Sequence, residues 1–271
     1  MKLFAIIKDT FRELLVRKVL IGFFIFNVLG LAGIATFISS DAISTGIAAA
    51  QKKGLPPETF AVLARIIESS VAGFFYLLLV FISVFATASI IPNAMEKGTI
   101  DLYLSKPVAR WELLFGKILG SVAVIAANIG MFMLGAWIIL SLRLGFWNPG
   151  FMSAAAVMLF AFVVLYSVVV VLNIVTRSAA LGIIVVYIHF LALSPILAGR
   201  AGIFAFIQND LVHKIIDWVY YILPQTAEHI GIASALIKNI DVASWLPIWA
   251  SSIFAAAMFG LAGWMFQKKD F

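Results

Sequence analysis

The chain has 271 residues, of which 63% are hydrophobic and 12% charged, and its mean hydropathy is +1.10. Soluble domains carry about a quarter charged residues, so this composition excludes an ordinary soluble domain and specifies a polytopic α-helical membrane protein. The formal net charge of +6 comes without a Lys/Arg-rich tail, which points to membrane topology rather than nucleic acid, and the absence of cysteine excludes disulfides, thiolate metal sites and cysteine nucleophiles.

Residues 1–18 are too charged to span a membrane. Phe4, Ile7, Phe11, Leu14 and Leu15 recur near the helical period, with Lys2, Asp9, Arg12 and Glu13 largely off that stripe. This predicts an amphipathic helix in the headgroup plane. A signal peptide fits less well, because the basic region is long and amphipathic and no convincing A-x-A site follows. Six apolar stretches, about 19–39, 70–92, 117–140, 152–175, 179–199 and 245–267, are each long enough for a helical span. Alternating ten-residue strands are absent, so the backbone must close on itself as helix inside lipid. The predicted fold is one all-α transmembrane domain over 1–271.

Two polar segments interrupt the spans. Segment 40–69 carries Lys52, Lys53, Glu58, Arg65 and Glu68 and reads as helical. Segment 200–244 holds two apolar runs, 218–224 and 230–237, that are too short to cross. A re-entrant or interfacial helical hairpin accommodates them. Orientation follows from the Lys/Arg bias: twelve of the 19 cations fall on the faces holding both termini, against seven on the other. Both termini and the loop at 93–116 are thereby placed on the cytoplasmic side of the inner membrane. Trp147, Trp218, Trp245 and Trp249 then fall near the outer interface and Trp111 near the inner one.

The 93–116 loop is the most informative segment. Gly98 precedes a short predicted helix over 100–105, Thr99 is placed to cap it, and Asp101 in the first turn suits the helix dipole. Pro107 biases Lys106 out of helical geometry, and a second helix starts near Ala109, carrying Arg110, Trp111 and Lys117 toward the membrane. Leu102, Tyr103 and Leu104 offer an apolar docking face. A plain solvated loop with snorkelling basic residues is the competing reading of this pattern.

The residues Glu96, Gly98, Thr99, Leu104, Ser105, Pro107, Arg110, Gly116 and Lys117 form the pattern E-x-G-T-x(5)-S-x-P-x-x-R-x(5)-G-K. This resembles the first cytoplasmic loop of ABC-2 type permeases. The likeness is strongest to the six-span group that includes the permease of the nitrous-oxide-reductase maturation exporter. The order of segments agrees: amphipathic N-terminal helix, six spans, a long outer segment with Tyr-Ile-Leu-Pro, a short Thr-Arg-Ser-Ala-Ala loop and a Lys-Lys-Asp-Phe end.

The resemblance implies a type V exporter-like fold and a permease without its own ATPase. Two copies pair, each resting on one subunit of a cytoplasmic ATPase dimer that binds ATP and Mg. The island supplies the coupling helix, with Glu96 linked to a basic group such as Arg177. Within this family the alternative to export is mechanical transmission to an outer-face accessory protein through 200–244. Consistent with a borrowed engine, no G-x-x-x-x-G-K-[ST] phosphate loop occurs.

Among residues inside the spans, Asn27, Asn128, Asn173 and His189 are the polar ones that demand a reason. Interhelical hydrogen bonding is the plainest reason for the amides, and packing for His189, ahead of substrate contact or proton relay. No Asp or Glu falls inside the predicted spans, which argues against an ion-coupled secondary transporter. Zinc hydrolysis lacks its ligand set, so no catalytic or metal-binding residue is assigned. A non-transporting scaffold leaves the ordered island unexplained.

Overall fold

A computed structural model describes residues 2–40, 45–46, 56–104, 108–207 and 209–269. All regular structure among them is helical: α1 (Lys2–Val16), α2 (Val19–Ile38), α3 (Pro57–Thr87), α4 (Ile90–Ala94), α5 (Thr99–Leu104), α6 (Arg110–Leu144), α7 (Phe151–Thr176) and α8 (Ala179–Ile188) come first. A π-helical turn (His189–Leu193) follows, then α9 (Ser194–Ala198), α10 (Arg200–Phe206), α11 (Asp210–Ile222), α12 (Thr226–Lys238) and α13 (Leu246–Lys268). Among the described residues, six helices are long and apolar enough to cross a membrane: α2, α3 with α4, α6, α7, α8 through α9, and α13.

Two of these outrun a bilayer core of about 30 Å. At 1.5 Å per residue, the 35 residues of α6 extend about 52 Å. The 31 residues of α3 extend about 46 Å. The chain from Pro57 is therefore part of the second spanning helix and not a separate polar element. Glu68 rides on that extension, fully buried, and Asn148 donates to its Oε2 at 2.6 Å. Glu68 lies just outside the predicted span 70–92, on the part of the helix away from the charged island.

α7 is the centre of the bundle. Its Ala154, Met158, Ala161, Phe162, Leu165 and Tyr166 are buried, and α3, α6, α8, α12 and α13 pack around it. Proline explains two irregularities in the surrounding helices. Pro92 has no N–H, so the carbonyl of Ala88 four residues earlier loses its helical partner. The Asn173 amide replaces it, donating to Ala88 O at 2.6 Å. In the fifth span, Pro195 interrupts the ladder in the same way, and the π turn lies immediately before it.

Segment 200–244 folds as a helical hairpin. α11 runs inward along α9 and α13, the chain turns over 223–225, and α12 returns beside α3 and α7. The tip is tied to three spans by neutral hydrogen bonds. Tyr76 OH on α3 donates to Thr226 O at 2.9 Å. On the fifth span, Ser194 Oγ accepts the Ala227 N–H at 2.9 Å, and His189 Nε2 lies 2.9 Å from Pro224 O. A carbonyl only accepts, so Nε2 carries the proton. On α13, Ser251 Oγ accepts the Gln225 N–H at 3.2 Å. The far end of α12 is strapped by Asn148 and Arg65, which donate to Ile237 O and Lys238 O at 2.9 and 3.2 Å.

Candidate functional site

The charged elements gather at the opposite end of the bundle from the hairpin's exposed start. α1, α5, the start of α6, the turn after α7 and the end of α13 all meet there. α1 is docked on α6 by glycine. Gly116 and Gly120 lie one helical turn apart, and a Cβ at either would come within 2.7 Å of Ile6 or Thr10 side-chain atoms. Small residues at this spacing allow two helices to approach closely. Ile6, Thr10 and Leu14 are accordingly buried, while Phe4 is 72% exposed and Phe11 and Leu15 are also open. The helix thus has two working faces. The predicted stripe mixes them: Leu14 turns to the protein, and Phe4, Phe11 and Leu15 are left for lipid.

Beside the glycines, Lys117 is 1% exposed. Its ammonium donates to Asp9 Oδ2 at 2.8 Å and Glu13 Oε2 at 2.9 Å, two acids one turn apart on α1. Tyr103 from α5 joins the same carboxylate, its hydroxyl donating to Asp9 Oδ2 at 2.5 Å. The Lys117 ammonium also lies 5.1 Å from the centre of the Tyr103 ring. Burial, followed by the hydrogen bond to Asp9, pushes the Tyr103 phenol above its ordinary value, so it stays protonated as the donor. Arg17 continues the chain of charges, with Nε 3.4 Å from Glu13 and Nη1 donating to Ser89 Oγ. α1, α5 and α6 are therefore locked together around one buried cation.

The short helix α5 is set by its start. Gly98 takes the left-handed region (φ 86), and its N–H donates to Asp101 Oδ2 at 3.2 Å. Thr99 is the first helical residue rather than the cap; the capping carboxylate is Asp101, reaching back. Ile100 is buried and Tyr103, one turn on, is half-buried, so these two form the inward face. Asp101 and Glu96 are exposed. The backbone at Leu102 and Leu104 lies in α5. Their side chains, and Ser105, Lys106 and Pro107 altogether, lie outside the described residues, as do Lys52 and Lys53.

Between α1 and α5 runs an open groove of about 430 Å³. Arg12 and Glu13 line one wall, Glu96 and Thr99 the other, with Tyr103 also reaching it. The cations that line this groove together with Glu96 are Arg12 and Arg17. Arg177, offered by the sequence as its partner, stands at the end of α7. It caps α7 in a left-handed conformation (φ 57), its N–H donating to Asn173 O. There it faces the end of α13, where burial and then the like charge of Arg177 lower the pKa of Lys269. The Lys269 ammonium donates to Ile174 O. Arg110 holds the same end: its Nη1 donates to Gln267 O at 3.1 Å and Lys269 O at 2.6 Å, the carbonyls that close α13. Ala109 N–H donates to Glu112 Oε2 at 2.9 Å and starts α6.

The polar residues within the spans hold helices to one another. Asn27 donates to Asn128 Oδ1 at 3.1 Å, joining α2 to α6. Asn173 repairs the break at Pro92, and His189 holds the hairpin turn. Sequence reasoning missed Asp9, Glu13 and Tyr103 as a set, and Ile100 as the docking residue. The available signals were the Gly116-x-x-x-Gly120 spacing and two acids at i and i+4 on the one helix able to face Lys117.

This bundle of six apolar helices, with an amphipathic N-terminal helix docked beside a short charged loop helix, agrees with the pattern of the ABC-2 family transporter protein model, which matches residues 4–271. The chain belongs to the ABC-2 family of transporter proteins. Its place in that family is the membrane permease subunit of an ABC transporter, a transport component rather than an enzyme. No curated protein matches the sequence significantly.

Proposed function

We propose that this ABC-2 permease couples ATP hydrolysis by a separate cytoplasmic ATPase subunit to export across the inner membrane, with both termini cytoplasmic and α5 as the coupling helix. Two copies pair, each seated on one subunit of the ATPase dimer, which binds the ATP and Mg. The narrower kinship with the nitrous-oxide-reductase maturation group belongs to this proposal and rests on the island pattern and segment order.

The observation that carries the reading is the Tyr103–Asp9–Lys117–Glu13 cluster. A lever must be exposed on one side and rigidly joined to moving parts on the other. α5 presents Glu96 and Asp101 to solvent. Its inner face is tied through Asp9 and Lys117 to α1 and to the third span. A push on α5 therefore moves α1 and α6 together. Arg110, one residue after the cap of α6, adds the end of the sixth span to the same assembly.

The test is reconstitution with a cytoplasmic ABC ATPase subunit that co-purifies with this chain. Transport-stimulated ATP hydrolysis is expected for the native protein. Replacing Leu104 or Arg110, or shortening 99–106, leaves membrane insertion intact and uncouples hydrolysis. Unchanged assembly and unchanged stimulated hydrolysis in those variants contradict the proposal.

A second reading, delivery of the motion to an outer-face accessory protein, is favoured by one observation. Leu211, Ile215, Trp218 and Ile222 form an exposed apolar stripe on α11, beside a fully open Phe206. Under that reading, replacing Trp218 and Ile222 with Ser abolishes work at the outer face while hydrolysis stays stimulated. Under simple export it leaves transport intact.

A further inference from the structure

The fifth span runs as one apolar stretch from Ala179 to Ala198, yet its two halves grip different partners. The inner half, α8, lies on α7 and α3. Gly182 lets it close on α7, where a Cβ would come within 2.7 Å of Asn173 Oδ1. Tyr187 stacks on Phe81 with ring centres 4.0 Å apart, and its hydroxyl donates to Phe81 O at 2.8 Å. The outer half belongs to the hairpin. Ser194 Oγ accepts the Ala227 N–H at 2.9 Å and the Thr226 hydroxyl at 3.1 Å. Just beyond, Arg200 Nε donates to Asp217 Oδ1 at 2.8 Å, and its guanidinium lies 3.5 Å from the centre of the Tyr220 ring.

The π turn (His189–Leu193) sits where the two halves meet. In a regular α-helix, residues five apart point about 140° away from each other, so His189 and Ser194 could not both face the hairpin. The Ser194 N–H instead returns to His189 O, five residues back, and that wider turn sets the two residues on one side. Both then reach the hairpin tip, His189 at Pro224 and Ser194 at Ala227. The turn is thus one residue inserted into an otherwise continuous helix. Pro195 keeps it open, because proline has no N–H with which to close a regular ladder. The second span treats its proline differently: there the Asn173 amide fills the gap at Ala88 O. Beside Pro195, among the described residues, no side chain donates to the corresponding carbonyl, Leu191 O, and the backbone takes up the break alone.

We propose that the π turn is a joint carrying one residue of slack, about which the inner half of the fifth span tilts while its outer half stays fixed to the hairpin. The outer half shares the hairpin's anchors on α3 and α13, through Tyr76 and Ser251. The inner half has one side-chain hydrogen bond, from Tyr187, and leaves Leu181, Ile184, Val185 and Ile188 exposed. A sealed proline in the second span and an open one in the fifth give one rigid helix beside one that bends. The joint stands on this geometry and does not depend on ATP coupling.

The test uses the full chain in lipid nanodiscs, with spin labels on pairs of introduced cysteines. Ile253→Cys on α13 is the common reference, paired with Ile184→Cys for the inner half or Ile196→Cys for the outer half. The inner pair is expected to show a distance distribution at least about twofold broader than the outer pair. Deleting Ala192 places His189 and Ser194 four apart, about 40° from alignment in a regular helix. That variant keeps the hairpin, with hydrogen exchange at 226–230 within about twofold of native, and narrows the inner pair to the width of the outer one. An extra Ala after Ala192 instead sets the two residues about 120° apart and raises exchange at 226–230 at least about tenfold. Pro195→Ala returns an N–H to the ladder and narrows the inner pair partway, with the hairpin unchanged. Equal widths for the two pairs in the native chain overturn the joint, as does an inner pair left broad by both the deletion and Pro195→Ala. Loss of folding or of hairpin protection on deleting Ala192 overturns the inserted-residue assignment.

Discussion

The two ends of this molecule are held together by different chemistry. At the charged end, a buried ammonium bridges two carboxylates and a phenol, and joins α1, α5 and α6. At the hairpin, hydroxyls, an imidazole and backbone groups make neutral hydrogen bonds from three spans to one turn. Neutral contacts inside an apolar bundle fix a position with little dependence on what lies outside. An ion cluster whose acids are partly open, Asp9 being 47% exposed, is sensitive to any charge brought near it. The charged end is therefore suited to receive a signal, and the hairpin to be carried by the spans that grip it.

The largest effect is expected where this contrast is greatest. Neutralising Asp9 and Glu13 together, Asp9→Asn with Glu13→Gln, strands Lys117 as a buried, uncompensated charge. Breaking such a pair from that side costs about 3–5 kcal/mol. Thermal unfolding in detergent reads it out, and hydrogen exchange in α1 should rise sharply. Lys117→Met removes the charge from the buried side and leaves acids that reach solvent, so its midpoint shift is clearly smaller. Equal shifts for the two variants contradict the assigned polarity of the cluster.

Next in size is Gly120→Leu, which drives a side chain into Thr10. Overpacking of this kind costs about 1–3 kcal/mol. It should undock α1, seen as protease sensitivity of residues 2–16, with the hairpin still protected. At the hairpin, Ser194→Ala removes the acceptor for the Ala227 N–H and costs about 1 kcal/mol, as loss of a helix cap does. Exchange at 226–230 is expected to rise, with α1 unaffected. Asn27→Leu deletes one interhelical hydrogen bond and costs about 0.6 kcal/mol, within the range of such bonds in bundles. His189→Ala is comparably mild; loss of all transport by a normally folded His189→Ala protein contradicts its assignment as a packing residue.

How much of this was legible in the sequence depended on range. Apolar run length marks six helices, because the bilayer makes each span satisfy its own backbone. The extension of α3 was hidden because Glu68 looks like a terminus, and it is Asn148, 80 residues away, together with the charge of Arg65, that makes its burial tolerable. The hairpin's two apolar runs were visible as too short to cross. Its depth was not, since the turn's polar groups find their partners on Tyr76, Ser194 and Ser251. At the charged end, Gly98, Asp101 and Arg110 stood out locally. Their partners did not: Arg110 acts on the carbonyls of the final helix, and Tyr103 looks outward in a helical wheel until α1 supplies Asp9.

The central claim, that α5 is the seat for the ATPase, is tested most directly by single-cysteine crosslinking in this cysteine-free chain. Asp101→Cys, exposed on α5, is paired with a short bifunctional reagent in membranes containing the ATPase, and Asp210→Cys at the start of α11 serves as the comparison. The account predicts a permease–ATPase adduct through position 101 that changes in yield when ATP is added, and none through position 210. An adduct through position 210, or none through position 101 while the two proteins co-purify, contradicts it.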